Sequence, residues 1–299
     1  MILCLGEAIV DLVCEREVEA VHDANAFVPH FGGALANVAV AASRAGAVAG
    51  LAGGVGDDDW GHWLGDRLRA EGVDLSFFEL VPGIQTPVAF VSLDRAREPR
   101  FQIYGDGIAA GLHSLDGRLE DAVAAASAVV FGSNTLVGET ERQLTAQARD
   151  LAIERGVPVL FDPNLRPNRW QDMSAAVELC RSLVPGSTLV RANAQEAALL
   201  ADGDVSNAEA AADAIVRMGA TVAVVTLGAD GALARGAVSG RAPGVSVDVV
   251  SPMGAGDAFM GALAAGLAAR AWDPARTAEV LPAACAAGAE ACTVWGALT

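Results

Sequence analysis

Short apolar runs rich in Val, Ile and Leu recur along the chain, and each of them predicts a buried strand. Most carry few polar residues, which is typical of strands that are covered on both faces of a sheet. Runs of this kind occupy 2–13, 48–54, 129–132, 157–162, 188–192 and 221–227.

Segments with apolar residues at helical spacing separate these strands. They predict a helix from the Gly32-Gly33 pair to Ala45-Gly46, a helix that opens from an acidic turn at 55–61 and runs through Ala70, and helices at about 116–127, 139–155, 173–184, 206–219 and 258–270. Strands that alternate with helices in this way form parallel sheets with helices on both faces. The pattern therefore predicts an α/β protein with a mostly parallel central sheet.

The stretch from 73 to 104 breaks this alternation. Strands are predicted at 73–81, 86–93 and 100–104, with turns between them and no helices. This pattern is typical of an antiparallel sheet. Since the chain has no repeat and no long linker, we expect one domain over 1–299 from which the small sheet grows.

A glycine-rich loop at 251–257 follows Val249-Val250, which predict the end of a strand, and precedes an apolar helix from Ala258. Glycine lets backbone N–H groups approach an anion closely, and a helix start adds partial positive charge. Asp257 would repel a phosphate, yet it is placed to take a proton from an attacking hydroxyl. The loop alone fits either a phosphoryl-transfer site or a tight turn with an acidic cap.

Three further polar residues stand out against apolar surroundings. Asn37 lies one turn into the helix after Gly32-Gly33, where its amide suits a neutral polyol unless it is only a polar residue on the helix face. Glu7 and Asp11 interrupt an apolar strand, where a carboxylate needs a partner unless the strand is an edge that faces water. The residues alone leave these alternatives open.

Composition disfavours several classes of function. The 299 residues carry 20 basic and 37 acidic side chains, a net charge of −17, which disfavours nucleic acid and anionic membranes as partners. The chain contains no lysine, which excludes a P-loop lysine and a Schiff-base lysine. Five cysteines without a CxxC pair predict reduced thiols in a cytoplasmic protein. We expect neither a membrane span nor a signal peptide.

Four motifs follow one another along the chain. They are Gly6-Glu7 to Asp11, GG-x3-N-x-A-x5-AG at 32–46, Gly54-Val55-Gly56-Asp57-Asp58, and GAGD-x-F at 254–259. Their ordered set closely resembles the PfkB family of carbohydrate kinases. The resemblance implies a ribokinase-like three-layer sandwich with a small β-sheet lid, formed by discontinuous segments at about 12–31 and 84–110.

The resemblance also implies roles for particular residues. Asp257 would be the catalytic base, and Gly254, Ala255 and Gly256 would form an anion hole. Contacts to the substrate are implied for Asp11, Gly32, Gly33, Asn37, Tyr104 and Arg166. Arg166 ends the family's strand-end motif at 161–166, and an ion pair with Asp162 or another acid is the structural alternative for it.

On the nucleotide side, the resemblance implies that ATP is bound by Asn193, Thr226, Gly228, Gly231 and Cys285. Asn193 and Glu196 match the family's N-x-x-E pattern, which organises Mg²⁺ through water. The same spacing fits a helix N-cap with a capping-box glutamate, and the two roles are compatible. The turn at Gly228–Gly231 also fits a simple hairpin.

Three positions depart from the family pattern. Ser251 replaces the usual aspartate that helps to bind a monovalent cation, which puts potassium activation in doubt. Cys285 replaces a frequent asparagine near the adenine, which favours an apolar contact there. Tyr104 is followed by Gly105-Asp106 rather than by arginine, and an acid in the lid would repel an anionic sugar.

A neutral sugar is therefore favoured, and the segments at 27–30, 70–74 and 86–94 look most like bacterial fructokinases. The prediction is ATP-dependent phosphorylation of a primary hydroxyl, D-fructose to fructose 6-phosphate, by a homodimer formed through the lid. A kinase for ribose, another ketose or a nucleoside is the enzymatic alternative. A sugar-binding sensor without turnover is the alternative of another class, and an NAD-dependent oxidoreductase is disfavoured because its G-x-G-x-x-G motif is missing.

Overall fold

The computed structural model describes residues 1–95, 99–105, 107–201 and 207–298. Strands β1 to β13 are, in chain order, Ile2–Leu5, Ile9–Glu17, Val28–Gly32, Ala49–Gly56, Asp74–Val81, Val88–Leu93, Pro99–Tyr104, Ala128–Gly132, Val159–Asp162, Leu189–Asn193, Val222–Thr226, Ala232–Gly236 and Gly240–Ala242. Helices α1 to α10 are Ala34–Arg44, Asp59–Ala70, Gly107–His113, Leu119–Ala124, Glu139–Glu154, Met173–Leu183, Ala194–Leu200, Ala208–Arg217, Ala255–Ala268 and Thr277–Ala291.

Two sheets organise these elements. The large sheet has the strand order β13-β12-β11-β10-β9-β8-β1-β4-β5, and it is parallel from β11 to β5. Only β12 and β13, at one edge, run antiparallel to their neighbours. The small sheet has the order β3-β2-β6-β7 and stands over one end of the large sheet. This architecture is the predicted three-layer α/β fold.

Three details of the strand prediction are wrong. The run 2–13 is two strands in different sheets, because the chain leaves the large sheet at Gly6, where a side chain would meet Leu35 at 2.7 Å. β5 is the edge strand of the large sheet, parallel to β4, and does not belong to the small sheet. The small sheet is mixed rather than antiparallel, since β2 and β6 run parallel.

The segment before the glycine-rich loop also differs from the prediction. Val249 and Val250 form no strand. The backbone N–H groups of Val250 and Ser251 instead donate to the carbonyl of Cys292, at 2.8 and 3.2 Å. The end of α10, which the sequence patterns do not predict, therefore holds this segment in place of a sheet neighbour.

Helices α1, α9 and α10 cover one face of the large sheet, and α4 to α8 cover the other. Helices α1 and α9 touch at Gly261, where a Cβ atom would lie 2.5 Å from the Cβ of Ala41 and 2.6 Å from the carbonyl oxygen of Val38. A smaller apolar cluster, which includes Ile9, Val91 and Met253, joins the small sheet to the glycine-rich loop. Among the described residues, no helix is long and apolar enough to span a bilayer.

Candidate active site

A cavity of about 310 Å³ opens between the carboxyl ends of the large sheet's strands and the inner face of the small sheet. Parallel α/β sheets bind ligands at this end, where the loops after successive strands converge. Residues of the small sheet, the strand ends and the glycine-rich loop all line it: Ile9, Asp11, Phe101, Ile103, Asn134, Asn164, Arg166, Asn193, Gly254 and Asp257.

Asp257 lies in the first turn of α9 and is buried, with 6% of its surface exposed. Its Oδ2 accepts a hydrogen bond from Nδ2 of Asn37 at 2.9 Å, and its Oδ1 accepts a longer one from Nδ2 of Asn164 at 3.4 Å. Gly254 precedes the helix with φ of +71°, a conformation that strains other residues. The two amides therefore fix the carboxylate at the edge of the loop.

Burial raises the pKa of Asp257 to about 7, while the Asn37 hydrogen bond and the charge of Arg166 act in the opposite direction. Burial likewise raises the pKa of Asp11 to about 7, and the neighbouring charge of Asp257 adds to that rise. A carboxyl with a pKa near neutrality suits proton transfer at physiological pH. Both groups line the same cavity.

Asp11 projects from β2 into the cavity and is 3% exposed, and its Oδ1 accepts no hydrogen bond from the part of the chain that the structure describes. Gly32 makes room for it, because a side chain at Gly32 would collide with the Asp11 carboxylate. Gly33 has φ of +96°, and its backbone passes so close to Glu7 that a Cβ atom would lie 2.5 Å from the Glu7 carbonyl oxygen. The glycine pair thus brings Asp11 and the start of α1 together.

Arg191, on β10, is a functional candidate that the sequence analysis misses. Its guanidinium pairs with Asp162 at 3.0 Å and donates to Oγ1 of Thr226 at 2.9 Å. It also lies directly under Gly256, where the Cβ atom of any other residue would be 2.8 Å from Nη1 of Arg191. Among the described residues, the ion pair that Asp162 forms is with Arg191 and not with Arg166. Arg166 lies over the ring of Phe101 and lines the cavity.

A second, more open cavity of about 510 Å³ adjoins the first through Asn193. Thr226 and Gly228, predicted on the nucleotide side, line it. Gly231 instead packs against the carbonyl of Ala242 on β13, which makes it part of the hairpin. Cys285 is buried on α10 and lines neither of these two cavities.

Glu196 forms the predicted capping box with Asn193. The Asn193 side chain accepts from the backbone of Glu196, and Oε2 of Glu196 accepts from the backbone N–H of Asn193, each at 2.9 Å. Oε1 accepts from the N–H of Leu165 at 2.8 Å. Both carboxylate oxygens are thus held by backbone donors, and among the described residues no His, Cys, Asp and Glu side chains form a direct metal cage. Such an arrangement fits a metal held through its waters.

Tyr104, a predicted substrate contact, faces away from the cavity, and Gly32 does not line it either. Tyr104 is 59% exposed on the outer face of the small sheet, where its ring meets Phe90 edge to face. Phe101 and Ile103, on the same strand, are the residues that face the cavity. Asp106, the predicted acid of the lid, lies outside the described residues.

Comparison with known proteins decides the family. The profile of the pfkB family carbohydrate kinases matches residues 1–299. The chain belongs to this family. It is 32% identical to probable fructokinase-4 of Arabidopsis thaliana, over all of this chain and 92% of that protein. It is 30% identical to fructokinase-2 of Solanum lycopersicum, with the same coverage.

Solved structures agree with this pfkB-family assignment. A fructokinase from Xylella fastidiosa with bound ATP superimposes with a TM-score of 0.84 at 27% identity, over 99% of this chain and 93% of that one. An aminoimidazole riboside kinase from Salmonella enterica, solved with its riboside and an ATP analogue, gives 0.83 at 29% identity, over 100% and 95%. The pfkB chain described here therefore has the ribokinase-like fold of ATP-dependent carbohydrate kinases.

Proposed function

We propose that this pfkB-family chain transfers the γ-phosphoryl group of ATP to a primary hydroxyl of a neutral sugar, and that the sugar is D-fructose. The observation that carries the proposal is the hydrogen bond between Asn37 and Asp257, two residues that line the cavity between the sheets. Fructokinases at 30–32% identity over the whole chain support fructose as the acceptor.

Asp257 takes the proton of the sugar hydroxyl as that oxygen attacks phosphorus. Its pKa near 7 leaves a large fraction of the carboxylate ionised at neutral pH. The backbone N–H groups at Gly254–Gly256 receive the charge that develops on the transferred group, and the guanidinium of Arg191 beneath Gly256 adds a fixed positive charge. Asp11 and Asn37 hold hydroxyl groups of the sugar, since each keeps a buried oxygen that has no hydrogen-bond partner among the described residues.

Magnesium belongs to this proposal as a cofactor. When bound, it neutralises phosphate charge during the transfer. Asn193 and Glu196 would hold it through its waters, because the Glu196 oxygens are already engaged by backbone donors.

Ser251 replaces the family's usual aspartate and accepts from the N–H of Met253 at 3.3 Å. We therefore expect equal rates in potassium and tetramethylammonium chloride; a rate that depends on potassium would contradict this.

The small sheet is proposed to act as a lid and as the dimer contact. Asn168, in the loop after β9, donates to the carbonyl of Phe101 at 3.4 Å, so the sheet rests on that loop and screens the cavity from water.

The outer face of the small sheet carries the edge-to-face pairs Phe27–Phe90 and Phe90–Tyr104. A homodimer through this face is expected, and a monomer mass in light scattering at micromolar concentration would overturn it. A cytoplasmic location stays a prediction.

A coupled assay of ADP release tests the activity itself. The acceptors are D-fructose, other hexoses, D-ribose, adenosine and aminoimidazole riboside, the last because a kinase for it is a structural neighbour. We expect the highest kcat/KM with D-fructose and a product phosphorylated at the primary 6-hydroxyl. Another preferred acceptor would refute fructose, and calorimetric binding of sugar without ADP release would favour the non-catalytic sensor.

A further inference from the structure

Arg191 stands between the two cavities described for the site. It lines the first cavity and is 7% exposed. Its Nη2 donates to Oγ1 of Thr226 at 2.9 Å, and Thr226 lines the second cavity, on the nucleotide side. The two residues lie near the carboxyl ends of the neighbouring strands β10 and β11. The guanidinium therefore touches a residue of the second cavity, besides placing a positive charge beneath Gly256.

The hydrogen bond from Arg191 limits the direction in which the Thr226 hydroxyl can donate. A guanidinium carries N–H donors and no acceptor, so the hydroxyl proton of Thr226 must point away from Arg191. The carbonyl oxygen of Ala192 accepts this proton at 3.5 Å, which is long compared with the about 2.7–2.8 Å typical of hydroxyl donors. A phosphate oxygen in the second cavity is charged and is a stronger acceptor than this distant carbonyl. The hydroxyl proton is thus available to a nucleotide.

The other arm of the guanidinium holds Arg191 in place. Nη1 donates to both carboxylate oxygens of the buried Asp162, at 3.0 and 3.3 Å. Because the guanidinium is planar and rigid, the position of Nη1 against Asp162 also sets the position of Nη2 against Thr226. A lysine ammonium is a compact point charge, and one that stays with the Asp162 carboxylate leaves Thr226 without its donor. The arrangement therefore uses the fork of arginine and not its charge alone.

We propose that Arg191 is a positioning residue for the nucleotide, because it turns the Thr226 hydroxyl so that the proton is donated to a phosphate oxygen of ATP. The proposal rests on the proposed kinase function and extends it to the way in which the nucleotide is held. Thr226 contacts the nucleotide, and Arg191 acts through Thr226. This role is separate from the charge beneath Gly256, since the charge survives an exchange for lysine and the direction of the hydroxyl does not.

Calorimetry with a magnesium complex of a non-hydrolysable ATP analogue tests the Thr226 contact. Thr226→Val should raise the Kd about 10–100-fold, the size of a hydrogen bond to a charged group, whereas Thr226→Ser keeps the hydroxyl and should stay within about threefold of the wild type. In the coupled assay the KM for ATP should follow, with the KM for D-fructose within about threefold. Thr221→Val, the same change at an exposed position before β11, is the matched control. An unchanged Kd in Thr226→Val, or an equal loss in Thr226→Ser, would overturn the contact.

A double-mutant cycle tests the positioning role of Arg191. Arg191→Lys keeps the charge and should raise the Kd of the ATP analogue about tenfold, because Thr226 loses its orienting donor. Combined with Thr226→Val, it should cause no further rise, since the hydroxyl that it orients is already missing. Arg217→Lys, at an exposed position of α8, is the matched control. A wild-type Kd in Arg191→Lys, or losses that multiply in the double variant, would reject the positioning role.

A second pair of substitutions serves if Arg191→Lys does not fold. Arg191→Met with Asp162→Asn removes both charges of the ion pair, so neither is left buried alone. This variant should also lose about tenfold in affinity for the ATP analogue, and an unchanged affinity would reject the role of Arg191.

The outcomes separate this inference from the proposed function. A wild type that binds the analogue and phosphorylates no acceptor refutes the proposed function, and the calorimetric test of Thr226 and Arg191 still decides the inference. A wild type that does not bind the analogue refutes both. An active wild type whose nucleotide affinity is indifferent to Thr226→Val refutes only the inference.

Discussion

Nδ2 of Asn37 donates to Oδ2 of Asp257 at 2.9 Å, and this bond joins two glycine motifs that are 220 residues apart in the chain. One motif opens α1 and the other opens α9, so the bond connects the proposed sugar-binding residue directly to the proposed base. Asn164 donates to the other carboxylate oxygen of Asp257, Oδ1. The carboxylate is therefore aligned before any substrate enters, and this has consequences that can be measured.

Replacement of Asp257 by Asn should lower kcat by about 10²–10⁴-fold, because the hydroxyl proton then lacks its acceptor. The KM values for sugar and ATP should change by only a few-fold, since the amide keeps the shape of the side chain. The coupled assay measures both. Asp116→Asn, at an exposed position, serves as the control and should behave as wild type. Turnover near the wild-type level in Asp257→Asn would remove Asp257 from the reaction.

The pH dependence of kcat/KM should report the raised pKa of Asp257. Only the ionised carboxylate accepts a proton, and burial raises its pKa to about 7. The rate should therefore fall about tenfold per pH unit below 7 and level off above it. Measurement from pH 5 to 9 at constant ionic strength checks this, with the coupling enzymes in excess throughout. A profile that is flat from pH 5.5 to 8 would contradict the assignment.

The free energy of unfolding should fall as the pH rises, whereas the reaction rate should increase. Between 3.8 and about 7, folded Asp257 keeps a proton that the unfolded chain has released. The folded state thus binds more protons, and the free energy of unfolding falls as pH rises through this window, by up to about 1.4 kcal/mol per unit. Asp257→Asn lacks this loss, so its stability relative to wild type should be greater at pH 8 than at pH 5. Urea unfolding at both pH values tests the sign, and an equal difference at both would refute it.

Asn164 combines a strained backbone with its contact to Asp257. It is buried and has φ of +40°, which glycine tolerates and alanine does not. Asn164→Gly should keep the fold and lose only the amide, so we expect kcat to fall several-fold with little change in Tm. Asn164→Ala should lose the same amide and also be less stable by about 1 kcal/mol or more. Calorimetry and the coupled assay separate the two effects, and equal Tm values would argue against strain.

Arg191 should matter both for folding and for proton transfer. Arg191→Met leaves Asp162 buried and unpaired, which costs about 3–5 kcal/mol of stability. Arg191→Lys keeps a charge but cannot serve Asp162 and Thr226 together, so it should lose less stability. Because the charge of Arg191 lowers the pKa of Asp257, the acid limb of the rate profile should move to higher pH in the Met variant only. A limb that moves equally in both variants would exclude this electrostatic role.

The alternation of strands and helices predicts the fold class. The meeting of Asp11, Asn37 and Asp257 is implied only by the resemblance of their motifs to the pfkB family. The sequence does not predict Arg191, since one charged residue in a buried strand gives no sign of a partner 29 positions earlier. It misplaces β5 because an edge strand is half exposed, and its polarity alternates as in an antiparallel sheet. Asn134 belongs to none of the motifs, and only the folded structure shows that its Nδ2 donates to Oε1 of Glu7 at 2.7 Å.

Gly261 leaves no gap between α1 and α9, and this limits how the enzyme can be altered. Because α1 and α9 pack directly against each other there, we expect a substitution that tilts the helix of Asn37 to displace the helix of Asp257 as well. Engineering of the enzyme for another acceptor should therefore leave the residues of α1 and α9 unchanged. The inner face of the small sheet at Phe101 and Ile103 and the loop around Asn134 are the parts to randomise, because the two amides that hold the Asp257 carboxylate, Asn37 and Asn164, lie elsewhere.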